Sequence, residues 1–331
     1  MSKKVYYSII IVIVTAIFVM IGVFWAQNET KNENIQVVFV SKSKQTGFEF
    51  WESVKQGAQV AAKEFGVELT LLAPEATSDA PLSESDTLGQ IKQMKKAIDQ
   101  KPDVILLAAV DQNDLLPYAK QAVDQGIKLV MVDSGISENI EDCFVGTDNA
   151  AAAKSVGLKM AEKMNGVGKV AIISHQMISS TAIERKNGFR EGIEGTDIET
   201  IGEYDIGDSI INAYETTMRV LEDHPDLNGI FATNQISGEG VVRALRATGR
   251  YRDVACYAID SSIALNEALE DGIVDGYAVQ KPFNMGYMGV KAAVQLVKKE
   301  PVKRNIDTGF AFVTQENMHE EEIQKLIYPF I

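Results

Sequence analysis

From Ile35 onward the chain repeats one alternation. A short run of β-branched and apolar residues is followed by a longer stretch with apolar positions every three or four residues. Ile35–Ser41 is the first such run. Phe50–Phe65 is the first helical stretch, with Phe50, Trp51, Val54, Ala58, Ala61, Ala62 and Phe65 on one period. Strands are predicted at Val67–Ala73, Val104–Ala109, Lys128–Asp133 and Cys143–Thr147, with helices Asp86–Gln100 and Leu115–Gln125 between them. The pattern then restarts with helix Asn149–Asn165, strand Lys169–Ser174, helix Thr181–Gly192, strand Ile198–Tyr204 and helix Ile210–Asp223. Strand Gly229–Thr233, helix Ser237–Thr248, strand Val254–Ile259, helix Ser262–Asp271 and strand Gly276–Gln280 follow. Helix Phe283–Val297 and strand Gly309–Val313 come last. Solid apolar strands such as Val104-Ile105-Leu106-Leu107 suit a parallel sheet covered on both faces, so the pattern predicts a doubly wound α/β fold, twice over.

The N-terminus departs from this alternation. Val5–Ala26 carries no charge and follows Lys3 and Lys4. As a helix it would reach about 33 Å, enough for a bilayer core of roughly 30 Å. The lysines favour the inner side, which puts everything after Gln27 outside. The exit Gly22-Val23-Phe24-Trp25-Ala26-Gln27 sets Phe24 where a cleaved signal wants a small residue, and no cysteine follows to carry a lipid. The expectation is an uncleaved single-pass anchor in the cell membrane, with the binding domain on the extracytoplasmic face; an atypical cleaved signal is the alternative.

Composition narrows the function. A net charge of −14 argues against nucleic acid as a partner, since phosphate binding wants a basic face. Cys143 and Cys256 are too few for a disulfide framework and read as buried thiols. His175, His224 and His319 show no metal-ligand spacing, so no metal or other cofactor is expected. No G-x-G-x-x-G follows a strand and no G-x-S-x-G elbow occurs. In Gly166-Val167-Gly168-Lys169, Val170 stands where a phosphate loop needs Ser or Thr. The chain does not read as an enzyme.

Ligands of doubly wound sheets bind beyond the carboxyl ends of the strands. Those ends are polar throughout: Ser41-Lys42, Asp133-Ser134, Thr147-Asp148-Asn149, Ser174-His175-Gln176, Asn234-Gln235, Asp260-Ser261 and Gln280-Lys281. Any one of them could be a helix cap or turn residue. Seven of them at one end of two sheets predict a polar cleft.

At these positions the chain resembles the type 1 periplasmic binding proteins of the ribose-binding kind, which share their fold with the lactose-repressor effector domain. The likeness runs from Ile35 to Thr314. Phe50-Trp51-Glu52-Ser53-Val54-Lys55-Gln56-Gly57-Ala58 resembles that family's first helix, and Leu129-Val130-Met131-Val132-Asp133 the strand ending in a ligand-binding aspartate. Val145-Gly146-Thr147-Asp148-Asn149 resembles the first hinge crossing. Ala182-Ile183-Glu184-Arg185-Lys186-Asn187-Gly188-Phe189 matches the arginine-bearing segment. Phe231-Ala232-Thr233-Asn234, Tyr257-Ala258-Ile259-Asp260 and Tyr277-Ala278-Val279-Gln280 match later ligand-bearing strand ends.

The resemblance implies two lobes joined by three crossings: an anchor and spacer over 1–34, one lobe over 35–147 plus 281–309, and another over 148–280 plus 310–331. It implies a monosaccharide or polyol held by Phe50 and Trp51 on its apolar face and by Asp133, Ser134, Arg185, Asn234, Asp260 and Gln280 on its hydroxyls. Lys42, Thr147, His175 and Gln176 are possible further contacts. Carboxylates accept strongly from hydroxyls, the arginine fork can take two oxygens, and amides both donate and accept. Paired aspartates could suggest glycoside hydrolysis, but the resemblance makes them ligand acceptors.

The sequence departs from the ribose pattern. The family's Asp-Arg pair is Asp133-Ser134, its third-strand Asn is Ala109, and the acid after the matching Asn is Gln235. These departures leave other pentoses, hexoses, polyols and sugar derivatives open. The implied partner is the membrane permease of an ABC sugar importer; the alternative is a membrane sensor histidine kinase to which the bound state is presented.

Overall fold

A computed structural model describes residues 34–42, 49–74 and 82–329, together with the single positions 15 and 20. The anchor expected at Val5–Ala26 lies outside the described residues. No helix among the described residues is long and apolar enough to cross a membrane. Residues Gln36–Ile331 form one compact unit.

The first sheet is built from β1 (Gln36–Val40), β2 (Glu68–Leu72), β3 (Val104–Leu107), β4 (Lys128–Val132), β5 (Cys143–Gly146) and β11 (Asn305–Asp307), in the order β2-β1-β3-β4-β5-β11. The second contains β6 (Val167–Ser174), β7 (Asp197–Asp205), β8 (Gly229–Ala232), β9 (Ala255–Ile259), β10 (Gly276–Gln280) and β12 (Phe310–Val313), in the order β7-β6-β8-β9-β10-β12. The two orders correspond strand for strand, so each lobe is the same doubly wound unit. All described pairings are parallel except β10 with β12, which runs antiparallel. The two expected parallel-sheet lobes are present, with this one antiparallel strand at an edge.

Helices cover both faces: α1 (Glu49–Phe65), α2 (Leu82–Asp99) and α3 (Leu116–Asp124) among the first strands, and α4 (Asn149–Lys163), α5 (Ser180–Ile193), α6 (Ile210–Asp223), α7 (Gln235–Thr248) and α8 (Ile263–Glu270) among the second. The long α9 (Pro282–Val297) returns to the first sheet and packs on α1. Because helices cover both faces, strands such as Val104–Leu107 and Ala255–Ile259 are buried at every residue. Small residues let the covering helices touch. A methyl placed on Gly286 of α9 would fall on the Val54 carbonyl of α1, and one on Gly188 of α5 on the Ala150 carbonyl of α4.

The chain passes between the sheets three times: after β5, after β10, and between β11 and β12. Two passages are tied to each other. The Asp307 carboxylate accepts from the amides of Asp148 (3.3 Å) and Gly309 (2.8 Å), and the Thr308 amide donates to the Gly146 carbonyl at 2.8 Å. Gly309 turns here with φ 71°, a conformation that costs glycine little.

Two elements carry no clear sequence signal. The three-residue β11 is Asn-Ile-Asp, too short and polar for a periodic pattern. The short α10 (Glu321–Ile327) buries Ile323 and Ile327. It is pinned by Asn266, whose amide donates to the Ile327 carbonyl at 2.9 Å while its oxygen accepts from the Tyr277 hydroxyl at 2.6 Å. Cys143 and Cys256 are buried free thiols in different sheets; burial raises the first to about 11.

Candidate functional site

The carboxyl ends of both sheets gather the polar residues. Asp133 follows β4 and is buried, with a left-handed backbone (φ 66°) that non-glycine residues adopt mainly when their surroundings enforce it. Its carboxylate lies 3.1 Å from the Lys42 ammonium, which comes from the end of β1. Ser134, also buried, donates its hydroxyl to the Ala109 carbonyl at 2.7 Å, so this side chain braces the ends of β3 and β4 and can offer a ligand only its lone pairs. Gln90 acts as a second brace. Its amide donates to the carbonyls of Ala108 (2.7 Å) and Ser41 (3.2 Å), and its oxygen accepts from the Val110 amide.

In the second lobe Arg185 is 3 % exposed and held rigidly. Its Nε donates to Asn149 Oδ1 at 2.8 Å, its Nη1 donates to the Thr233 carbonyl at 2.7 Å, and the same Nη1 stands 3.6 Å from Asp260. Asp260 accepts from Gln280 Nε2 at 2.7 Å. Burial pushes the Asp260 carboxyl above the ordinary range, against the opposing pull of Arg185 and the Gln280 hydrogen bond. Asn234 is half-buried and caps α7: its Oδ1 accepts from the Ser237 amide at 2.9 Å, which leaves the amide hydrogens for a ligand.

Phe50 of the aromatic pair lies beside this acidic group. Phe50 and Trp51 are half-buried and pack edge to face, ring centres 5.1 Å apart. Phe50 lines one small cleft together with Asp260, Gln280, Pro282 and Leu326. The Lys42 ammonium lies 5.9 Å from the centre of the Trp51 ring, within reach of a cation–π attraction.

The four further candidates divide. His175 is buried with both ring nitrogens committed to the protein, Nδ1 2.7 Å from Thr233 Oγ1 and Nε2 3.1 Å from Thr181 Oγ1. Burial, reinforced by the positive charges of Arg185 and Lys42, holds its pKa well below the usual imidazole value, so the ring is neutral. Lys42 pairs with Asp133. Thr147 and Gln176 are buried, with Thr147 Oγ1 and Gln176 Nε2 lacking a hydrogen-bond partner among the described residues. Ser41 Oγ and Gln280 Oε1 share that condition. All four of these groups follow or end a strand: β1, β5, β6 and β10.

Sequence reasoning missed the residues that hold the site: Gln90, Asn149, Thr181 and Thr233. Thr233 and Asn149 sit in quoted strand-end strings and were within reach of the strand-end rule. Gln90 lies mid-helix and carried no signal. Among the described residues no cluster of His, Cys, Asp and Glu could hold a metal ion.

Known proteins resemble this chain over most of its length. Residues 37–301 match the periplasmic binding protein domain family. The chain is 27 % identical over 277 residues to the D-ribose/D-allose-binding protein of Pseudomonas aeruginosa, covering 80 % of this chain and 83 % of that one. It is similar to a solved sugar transporter structure from Clostridium phytofermentans (34 % identity, TM-score 0.77, 86 % of this chain and 100 % of that one). It is also similar to an ABC transporter solute-binding protein from Agrobacterium vitis with bound D-fucose (30 % identity, TM-score 0.81, 88 % and 99 %).

Proposed function

The chain belongs to the periplasmic binding protein domain family, and from that membership we propose that its cleft binds a monosaccharide or related polyol for an ABC sugar importer. The observation that carries the sugar reading is a set of four buried polar atoms without a hydrogen-bond partner among the described residues: Ser41 Oγ, Thr147 Oγ1, Gln176 Nε2 and Gln280 Oε1. An unsatisfied buried polar group costs about 1–3 kcal/mol. A compact ligand rich in hydroxyls, which both donate and accept, can satisfy several at once. The carboxylates Asp133 and Asp260 add charged acceptors, and Phe50 and Trp51 add apolar faces. The names of the ribose/allose-binding relative and of the fucose-bound solute-binding protein support the same ligand class.

In this reading the bodies 35–147 plus 281–309 and 148–280 plus 310–331 close about the three crossings, and a ligand touching both favours the closed state by its differential affinity. The run Val5–Ala26 tethers the binding domain to the outer face of the cell membrane, within reach of the permease. That uncharged run also favours a second reading, a tethered sensor that presents its bound state to a membrane histidine kinase. Thermal-shift screening of the purified protein against pentoses, hexoses and polyols tests the ligand class, because a bound ligand stabilises the folded state by mass action. A stabilising monosaccharide supports the reading; no shift across the panel rejects it. N-terminal sequencing of the mature protein from membranes tests the tether.

A further inference from the structure

The stretch between β6 and α5 is gripped from the opposite lobe at three successive residues. The Gln112 amide donates to the Ile178 carbonyl at 3.4 Å, Lys42 Nζ donates to Ser179 Oγ at 3.4 Å, and the Gly135 amide donates to Ser180 Oγ at 3.0 Å. Behind Ser179 the contact continues inward. Ser179 Oγ is 3.0 Å from Thr181 Oγ1, Thr181 Oγ1 is 3.1 Å from His175 Nε2, and His175 Nδ1 is 2.7 Å from Thr233 Oγ1. Ser179, Thr181, His175 and Thr233 are all buried.

One arrangement of hydrogens satisfies every contact in this series. A lysine ammonium only donates, so Ser179 Oγ accepts from Lys42, and in this arrangement it turns its own hydrogen to Thr181. The Thr181 hydrogen then points at His175 Nε2, which accepts. The imidazole proton is left on Nδ1 and donates to Thr233 Oγ1, which already accepts from the His175 backbone amide at 3.0 Å. At its far end Thr233 gives its carbonyl to Arg185, and at its near end Lys42 pairs with Asp133. The relay thus joins a strand-end aspartate of one lobe to the arginine of the other.

We propose that Ser179, Thr181 and His175 are positioning residues that grip Lys42 across the cleft, so that this relay, and not ligand contact alone, holds the two lobes closed. The inference rests on the two-lobe closure described above. The neutral state of His175 fits it, because a second hydrogen on Nε2 would point at Thr181 and reverse that arrangement.

The test uses the full chain with spin labels on cysteines introduced at the exposed positions Leu88 and Ile211, one in each lobe; the two native thiols are buried. Thr181→Val keeps the shape of the side chain and removes the hydroxyl that carries the relay. Thr181→Ser restores it. The expected result is a loss of the short interlobe distance in unliganded Thr181→Val, with recovery in Thr181→Ser. The dissociation rate of the sugar identified by thermal shift should rise about tenfold in Thr181→Val, the worth of one net hydrogen bond, while the association rate changes less than twofold. Unchanged distances and dissociation in Thr181→Val would overturn the proposal, as would equal defects in both variants. The unliganded distances need no sugar, so a failed sugar screen and a failed relay give different results.

Discussion

Asp133 and Asp260 occupy the same place in the two lobes. Each follows the fourth strand of its sheet, each has a left-handed backbone (φ 66° and 72°), and each donates its amide to the neighbouring fifth strand, at Val145 and Ala278, both at 2.9 Å. Their partners differ. Asp133 faces a flexible ammonium from its own lobe, whereas Asp260 is fixed between Gln280 and Arg185. The repeated backbone conformation delivers two carboxylates to one cleft from a duplicated architecture, and the unequal partners make their roles separable.

Truncating either carboxylate should weaken binding. Asp133→Ala or Asp260→Ala removes a charged acceptor and takes from Lys42 or Arg185 the carboxylate beside it. The expected loss is about 2–5 kcal/mol, or roughly 30- to 4,000-fold in Kd, read by calorimetry. Asp260→Ala should be the more severe, because the rigid Arg185 cannot turn to water as Lys42 can.

Trp51 should report ligand. Its ring lies edge-on to Phe50 and beneath the Lys42 ammonium, so a sugar entering the cleft changes both its contacts and its field. Tryptophan emission should shift on titration, and the shift should vanish in Trp51→Phe, which leaves Trp25 as the remaining tryptophan. Trp51→Ala should cost about tenfold or more in affinity, as for a buried aromatic anchor.

Acidification should separate two buried groups by sign. His175 has a depressed folded-state pKa, so the stability it contributes is present above its unfolded value of about 6.5 and is lost as pH falls below it. On moving from pH 7 to 5 the wild type should lose more stability than His175→Gln. Asp260 has a raised folded-state pKa, so its contribution is fully present only below about pH 3.9 and is lost as pH rises through the folded value. The advantage of unliganded Asp260→Asn over the wild type should therefore grow from pH 4 to 7. Urea unfolding at each pH reads both differences.

The helix pairs that back the sheets should tolerate no added methyl. In Gly286→Ala the new carbon meets the Val54 backbone carbonyl, which cannot yield as a side-chain tip can. A destabilisation of about 1–3 kcal/mol is expected in denaturant melts, with ligand affinity of the folded fraction unchanged.

The strand–helix alternation was legible because both faces of each sheet are covered, which forces solid apolar strands such as Val104–Leu107. Helix ends were legible to within a turn, α2 beginning four residues before its expected start at Asp86. The elements without signal, β11 and α10, are held by partners distant in sequence: β5 for one, Asn266 for the other. The antiparallel edge of β12 is likewise a product of the third crossing, which a local pattern does not encode. At the site, the strand-end rule picked out polar residues at the carboxyl ends of the sheets but not the hydrogen bonds they make within the protein. Ser134 braces a neighbouring strand, Asn234 caps a helix with its oxygen, and His175 gives both nitrogens to threonines. Those assignments depend on which groups fold brings within 3 Å, and spacing along the chain is silent on that.

The central claim is that strand-end polar groups from both lobes close on one neutral sugar. Isothermal titration of the wild type and of Gln280→Leu with the monosaccharide that gives the largest thermal shift tests it most directly, because Gln280 both holds Asp260 and carries the unpartnered Oε1. The account predicts one site per chain in the wild type and at least tenfold weaker binding in Gln280→Leu. Equal affinity in the two proteins would contradict it.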